Sequence, residues 1–267
     1  MFSMRLISWN VNGRRGATLL AQIAALGGRG PDIIALQELC AENLPAWVDG
    51  LAAAGLPHLL DSSDQLAVAA ANGREYRRTY FNLIASRWPL RRLAQLRLEF
   101  PERYLAAQVD RDRFPFELHD VHLPPGASRG LVKVEMFEAI HSLLATFCER
   151  PRILCGDLNT PRAEREDGTV EFWGASHPAH RERWDAAERS VMLGLAEHDL
   201  PDVYRALNGY SAAEASWVAL RRGRQWGRRY DHIFASSALT ATACRYLHDW
   251  REQGLSDHSA IEADLAG

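Results

Sequence analysis

The chain has 267 residues, 47% hydrophobic and 24% charged, a composition that excludes a mainly disordered protein. Its formal net charge of −3 excludes a protein that coats nucleic acid by charge alone. No apolar run reaches the ~18 residues of a membrane helix, and the N-terminus lacks a signal-peptide pattern. We therefore expect a cytoplasmic protein without a membrane partner.

Short apolar runs and longer periodic patterns predict the secondary structure. In chain order, strands are predicted at 5–10, 32–37, 66–71, 81–86, 93–98, 104–110, 114–121, 153–156, 229–235, 241–246 and 259–265. Helices are predicted at 17–26, 44–54, 131–148 and 184–198, and substrate loops at 62–80, 160–183 and 208–228. Many strands with few helices between them predict an α+β fold of two packed sheets with outer helices. No linker divides the chain, so we expect one domain over residues 1–267.

Polar side chains of a limited set recur at the ends and starts of these strands. They are Asn10, Glu38, His122, Asp157, Asn159, Asp231, Asp257 and His258. In a mixed sheet, the ends of strands running one way meet the starts of strands running the other way at one rim. We therefore expect these side chains to converge on one cleft.

Carboxylates and amides of this kind suit metal-assisted cleavage of a phosphoester. Mg²⁺ is a hard cation that prefers carboxylate oxygens and water, and Glu38 is the first candidate ligand, with Asn10 and Asp257 nearby. Water must be aimed in line with the leaving oxygen, a role that suits Asp157 assisted by Asn159. The site is thus predicted to hold Mg²⁺ or Mn²⁺.

The two histidines complete this chemistry. A carboxylate behind an imidazole sets its tautomer and raises its basicity, and Asp231 behind His258 is predicted to form such a pair. His122 is expected to donate to a phosphate oxygen or to protonate the leaving group. Both histidines would bind phosphate and stabilise charge.

The motifs around these residues resemble a known family. They are W-N-V-N-G at 9–13, Q-E at 37–38, H-L at 122–123, G-D-L-N at 156–159, Y-D-H-I-F at 230–234 and S-D-H at 256–258. In type and order they are similar to the endonuclease/exonuclease/phosphatase superfamily. The resemblance implies a four-layered α/β sandwich like that of deoxyribonuclease I, and places the site residues one by one on the family's active site.

Two differences between this sequence and the exonuclease III-like motifs indicate which branch of the family it resembles. His122 stands where exonuclease III-like members carry a tyrosine-type motif, and is typical instead of deoxyribonuclease I-like and sphingomyelinase-like members. Only Trp217 remains of the Trp-Trp-Ser-Tyr-Arg stretch of abasic-site nucleases. The departures disfavour an abasic-site endonuclease.

The predicted activity is a divalent-metal-dependent phosphoesterase, a nuclease that cleaves phosphodiesters in DNA or RNA. A phosphatase or phosphodiesterase acting on a small molecule or lipid headgroup is the alternative; the acidic net charge favours it, whereas the arginine-rich segment 221–229 opposes it. A non-catalytic binding module is disfavoured because every expected site residue is present.

Substrate contacts are predicted in the loops. Arg129, Arg228 and Arg229 are candidates to bind phosphate, and Trp217 to stack on a base. The alternatives are solvated arginines and a tryptophan that covers the core. Lys133, the only lysine, is interpreted as a charge at a helix start.

Overall fold

A computed structural model describes residues 3–71, 79–128, 130–211, 213–221 and 223–267. Its strands are β1 (Ser3–Asn10), β2 (Ile33–Leu39), β3 (His58–Asp61), β4 (Phe81–Ser86), β5 (Leu90–Arg92), β6 (Tyr104–Val109), β7 (Phe116–His122), β8 (Arg152–Asp157), β9 (Ala163–Glu164), β10 (Val170–Glu171), β11 (Trp217–Arg221), β12 (Arg224–Arg228), β13 (Asp231–Ala235), β14 (Thr240–Leu247) and β15 (Ala260–Ala266). Its helices are α1 (Gly16–Arg29), α2 (Leu44–Ala53), α3 (Gln65–Ala71), α4 (Val132–Leu144), α5 (Arg181–Met192), α6 (Val203–Asn208) and α7 (His248–Glu252).

Most strands belong to two mixed sheets. The first has the order β14-β15-β1-β2-β4-β3 and the second the order β13-β8-β7-β6-β5. Each contains one parallel pair, β1 with β2 in the first sheet and β7 with β8 in the second, among antiparallel neighbours. Two short hairpins, β9–β10 and β11–β12, stand apart from the sheets.

Apolar residues on both faces of each sheet build a sandwich of four layers. In β2, Ile33 and Ala35 pack into a core shared by both sheets, whereas Ile34 and Leu36 face the opposite side. Successive strand residues point to opposite faces, so each sheet buries both of its faces. Helices α1, α2 and α7 cover the outside of the first sheet, and α4 and α5 cover the outside of the second. The predicted α+β sandwich of two packed sheets with outer helices is confirmed.

Most predicted elements are present, and the differences have physical reasons. Residues 65–71 (QLAVAAA) form helix α3, not a strand, because alanine and leucine favour a helix over a strand. Residues 93–98 form no strand, although their leucines pack on the core. Helix α1 continues beyond its predicted end at 26, through Gly27-Gly28 to Arg29. It is capped by Gly30, which has the left-handed φ of 63° that glycine adopts freely. The predicted loop 208–228 contains the hairpin β11–β12.

The strand directions gather the predicted polar residues at one rim. In the parallel pair of β7 and β8, His122 is in register with Asp157, and across the antiparallel pair Asp231 is in register with Asp157. The first sheet contributes the ends of β1 and β2 to the same rim. In the part of the chain that the structure describes, no helix has the length and apolar character to span a membrane.

Candidate active site

Asp157 lies at the centre of the converging side chains. Asn10 Nδ2 donates to Asp157 Oδ2 at 3.0 Å and to Glu38 Oε1 at 3.1 Å. His122 Nε2 lies 3.4 Å from Glu38 Oε1 and 3.8 Å from Asp157 Oδ2. Asn10 and Glu38 come from one sheet, and His122 and Asp157 come from the other. The site therefore lies at the rim where the two sheets meet.

Asn159 holds the Asp157 carboxylate from the loop that follows β8. Its backbone N–H donates to Asp157 Oδ1 at 2.9 Å, and its Nδ2 lies 3.2 Å from Asp157 Oδ2 and 3.0 Å from the carbonyl oxygen of Leu123. Asp157 thus receives hydrogen bonds on both oxygens, which fixes its plane. An oriented carboxylate is what a general base needs to accept a proton from one defined direction.

The backbone at this rim is unusual. Asn12, Glu38 and Asn159 have φ values of 53°, 61° and 51°, in the left-handed region that non-glycine residues seldom adopt. Gly156 has a φ of 132°, and a Cβ there would lie 2.0 Å from the carbonyl oxygen of Val121. Such conformations cluster at functional sites because the surrounding contacts, not local preference, hold them.

The predicted His258–Asp231 pair is formed. His258 Nδ1 lies 2.8 Å from Asp231 Oδ2, and His258 Nε2 points towards Asp157, 3.8 Å from its Oδ2. Burial alone lowers the pKa of His258, but the carboxylates of Asp231 and Asp157 outweigh that effect and raise it to about 10. His258 is therefore an imidazolium at neutral pH, suited to an anionic phosphate.

The other ionisable groups are shifted in complementary directions. Burial raises the pKa of Asp157 to about 7; the His258 imidazolium opposes the rise and Asp231 adds to it. Burial also raises the pKa of Glu38 and lowers that of His122 well below the histidine range. His122 is thus neutral and acts as a hydrogen-bond donor, not as a charge. Several ionisable groups with displaced pKa values in one cleft are typical of a catalytic site.

The donor set suits a divalent cation. Ligand atoms of Glu38, His122 and Asp157 all lie within 4.8 Å of one another. The Asp157 carboxylate is buried and that of Glu38 is partly buried, and no arginine or lysine of the described residues forms an ion pair with either. A hard cation at Glu38 would offset this negative charge. Asp257 stands close, with its Oδ1 accepting from Asn12 Nδ2 at 2.7 Å, and its charge contributes to the raised pKa of Glu38.

The predicted substrate contacts are only partly at this cleft. Trp217 forms a backbone bridge with His258 and stacks on Tyr230, with ring centroids 5.6 Å apart. Arg228 is opposite Trp217 in the hairpin and is half-buried, with its guanidinium 5.6 Å from the ring centroid of Trp226. Arg129 lies outside the described residues, as do Arg222 and the side chains of Arg221 and Arg224.

The expectation for Arg229 was wrong. Its side chain is 1% exposed and pairs with Glu164 at 2.7 Å and Asp202 at 2.8 Å. Both carboxylates are themselves buried, so the guanidinium is held in ion pairs inside the protein and is not presented to a substrate. Arg229 instead ties the loop before β13 to the start of α6.

Two residues that contact the site, Asn12 and Lys133, were not predicted as site residues from the sequence. Asn12 orients Asp257, and the signal for it was the second asparagine of the W-N-V-N-G motif. Lys133 is fully buried, and its Nζ donates to the carbonyl oxygen of Asn159 at 2.7 Å. The signal for Lys133 was its place among arginines: as the only lysine, it was the one basic residue whose identity departed from the rest of the chain.

The site combines a buried carboxylate and an orienting asparagine with a histidine–aspartate pair and a cluster of side chains suited to a cation. This combination is that of a metal-dependent hydrolase of phosphoester bonds. The model of the endonuclease/exonuclease/phosphatase family matches residues 7–258. The chain belongs to this family, and the predicted membership is confirmed.

Similar proteins cover nearly the whole chain. The DNA repair nuclease APEX1 of Danio rerio is 25% identical over 292 residues, spanning 99% of this chain and 83% of the relative. An AP endonuclease structure from Archaeoglobus fulgidus superposes with a TM-score of 0.73 at 19% identity, covering 99% and 100% of the two chains. Danio rerio TDP2 complexed with a single-strand DNA product gives a TM-score of 0.68 at 16% identity, covering 99% of each chain. The two structures show that the fold is shared.

Proposed function

We propose that this enzyme is a nuclease that hydrolyses phosphodiester bonds of DNA, with Mg²⁺ or Mn²⁺ as its cofactor. The observation that carries the proposal is the Asp157 carboxylate, held on both oxygens by Asn10 and Asn159 and faced by the His258 imidazolium. The relative APEX1, a DNA repair nuclease by name, supports DNA as the substrate. We further propose that residues 1–267 act as one catalytic domain in the cytoplasm, where the four free cysteines would stay reduced.

In the proposed reaction, Asp157 accepts a proton from a water molecule that Asn159 helps to orient. The water oxygen attacks phosphorus, and the bond to the leaving oxygen breaks on the opposite side. The leaving oxygen keeps the electron pair of that bond and takes a proton from solvent. His258, charged and oriented by Asp231, hydrogen-bonds the phosphate oxygens as negative charge builds on them. His122 supplies a neutral donor beside them. A cation held by Glu38, with Asn10 and Asp257 near it, would stabilise the same charge.

The hairpin β11–β12 favours a polynucleotide over a small ester. It starts at Trp217, beside His258, and its residues 217–228 contain four arginines and no acidic residue. Trp226 on this hairpin is 48% exposed, an unusual state for a tryptophan that packs no core. Arginines and an exposed aromatic ring together suit a phosphate backbone and its bases. A small phosphoester would occupy only the cleft and leave this surface unused.

A substrate panel tests the proposal. Hydrolysis is measured on plasmid DNA, single-stranded DNA, an abasic duplex, RNA, a small phosphodiester and a small phosphomonoester, each with Mg²⁺, Mn²⁺ or EDTA. The proposal expects metal-dependent cleavage of DNA with kcat/KM far above that of the small esters. Turnover restricted to the small esters would support the phosphatase alternative, which the net charge of −3 favours, and would overturn the nuclease.

A further inference from the structure

Lys133 forms a buried contact that the reaction described above does not use. It lies in the first turn of α4, is fully buried, and is the only lysine of the chain. Its Nζ lies 3.0 Å from Oε1 of Glu188, a residue of α5 that is equally buried. Taking two charges out of water is costly, and replacing such a pair by neutral side chains seldom destabilises a protein. Stability alone therefore gives little reason for a lysine at this position.

The second partner of Lys133 connects this pair to the active site. Its Nζ donates to the carbonyl oxygen of Asn159 at 2.7 Å, and Trp173 Nε1 donates to the same oxygen at 3.1 Å. Glu188 holds Trp173 in place, since its Oε2 accepts the backbone N–H of Trp173 at 2.8 Å. Two donors from different elements thus fix one peptide plane.

That peptide follows a residue in the left-handed conformation. Asn159 has a φ of 51°, which asparagine adopts more readily than most other residues but which still costs energy, so contacts help to hold it. From this conformation its backbone N–H and its Nδ2 reach the two oxygens of Asp157. Release of the Asn159 carbonyl would free the peptide that follows Asn159. The φ and ψ of Asn159 could then relax and shift its N–H and Nδ2 away from the carboxylate.

We infer that Lys133, paired with Glu188, is a positioning residue that acts through Asn159 to hold the Asp157 carboxylate in its reactive orientation. The inference rests on the proposed roles of Asp157 and Asn159 in hydrolysis, but not on DNA being the substrate. Lys133 does not touch the substrate. Its loss is therefore expected to lower kcat while leaving KM nearly unchanged, because a misplacement of about 1 Å at a reactive group costs up to about 10²-fold in rate.

The test separates positioning from stability. The single variant Lys133→Met leaves Glu188 buried and unpaired, so Tm is expected to fall by roughly 6 °C or more. The double variant Lys133→Met/Glu188→Gln removes both charges and keeps an oxygen for the Trp173 N–H, so most of the loss in Tm is expected to be recovered. We expect kcat of the double variant to stay at least about 10-fold below wild type, with KM within about 2-fold.

Two further variants keep the test decisive if the double variant is unstable. Trp173→Phe removes only the second donor to the Asn159 carbonyl and is expected to lower kcat several-fold. Met136→Ala, in the core face of the same helix, lowers Tm without touching Asn159 and is expected to retain kcat at a temperature where it is folded. A kcat that follows Tm across all four variants would overturn the inference. If wild type hydrolyses none of the esters, the proposed function fails and the inference falls with it.

Discussion

Asp157, His258 and Asp231 form a buried chain of alternating charge. Asp231 lies 2.8 Å from one ring nitrogen of His258, and Asp157 lies 3.8 Å from the other. Each charge is costly to bury alone, and each is stabilised by its neighbour in a medium of low dielectric constant. In the proposed mechanism, this arrangement keeps the His258 cation facing the phosphate, while Asp157 remains able to accept a proton near neutral pH.

Removal of the Asp231 charge is expected to weaken catalysis and to narrow the pH range. In wild type the carboxylates raise the pKa of His258 to about 10, so the imidazolium persists as pH rises to that value. Asp231→Asn lowers this pKa, and activity is therefore lost at a lower pH on the basic limb. We expect kcat/KM to fall about 10²-fold at pH 7. Profiles of kcat/KM against pH measure both effects.

The exposed Asp112 supplies a control for this profile. Asp112→Asn removes one negative charge far from the ring and should leave the basic limb where wild type has it. An Asp231→Asn variant with the wild-type basic limb would show that Asp231 does not set the charge of His258.

At the residue scale, the sequence predicts the site through its motifs but not through its long-range pairs. The strand-end positions of Glu38, Asp157 and His258 are visible as polar residues that interrupt apolar runs. The burial of Arg229 is not visible in the sequence, because its partners Glu164 and Asp202 are 65 and 27 residues away along the chain. The buried state of Lys133 likewise depends on Glu188 in another helix.

At the element scale, the network around Arg229 joins separate pieces of structure. Glu164 in β9 accepts from Arg205 in α6 and from Arg229 before β13, and Asp202 caps α6 by accepting the Arg205 backbone N–H. Asp202 also faces His232 at 3.2 Å, which turns that ring away from the cleft. The network thus connects the start of β13, where Asp231 lies, to the hairpin β9–β10 and to α6.

Glu164→Gln tests what this network contributes to stability. Burial raises the pKa of Glu164, but Arg229 and Arg205 outweigh it and lower the pKa to about 2 in the folded protein. A depressed carboxylate pKa stabilises the fold fully above the ordinary value of 4.5, and this stabilisation is lost as pH falls towards 2. We expect the free energy of unfolding of the variant to be about 3 kcal/mol lower at pH 7, because Arg205 and Arg229 lose the negative charge of their buried partner.

Urea unfolding at pH 7, 4 and 3 measures this difference. The gap in unfolding free energy between wild type and Glu164→Gln should narrow as pH falls. Glu138→Gln, in the surface pair with Arg183, is the matched control and should change stability little. A gap that stays constant with pH would contradict the ionised state of Glu164.

The elements that the sequence missed are those set by tertiary contact. The hairpin β11–β12 has strand lengths of five residues but an arginine-rich composition without alternation, so it offers no periodic signal. Residues 93–98 carry leucines at strand spacing, yet they pack on the outer core as irregular chain. Helix α4 was predictable up to Leu144 because its apolar residues match the face it buries. The prediction continued to residue 148, but Phe147 is 86% exposed and lies outside the helix.

At the scale of the whole molecule, the positive charge of one segment of the sequence is separate from the net negative charge of the chain. The chain carries a net charge of −3, whereas residues 217–228 carry four arginines and no acid. A basic segment that begins beside His258 is expected to draw an anionic polymer to the cleft without binding it over the whole protein.

This charge separation predicts a strong salt dependence on polynucleotides only. We expect kcat/KM on DNA to fall at least about 10-fold between 50 and 200 mM salt, with little change on a small phosphodiester. Arg228→Ala should make the slope of log kcat/KM against log salt shallower by about 1, since one phosphate contact is lost. Arg183→Ala removes an equal charge on α5 and should leave the slope unchanged. Equal slopes for wild type and Arg228→Ala would contradict a role for Arg228 in DNA binding.

The most direct test of the account is the metal dependence of cleavage with Glu38 altered. The rate on one DNA substrate is measured with Mg²⁺, with EDTA, and with Mg²⁺ restored, for wild type, Glu38→Gln and Glu42→Gln. Glu42 is an exposed carboxylate paired with Arg15 and serves as the matched control. The account predicts that EDTA abolishes cleavage reversibly, that Glu38→Gln loses at least about 10²-fold, and that Glu42→Gln matches wild type. Full cleavage in EDTA, or a wild-type rate for Glu38→Gln, would contradict a metal-dependent site at Glu38.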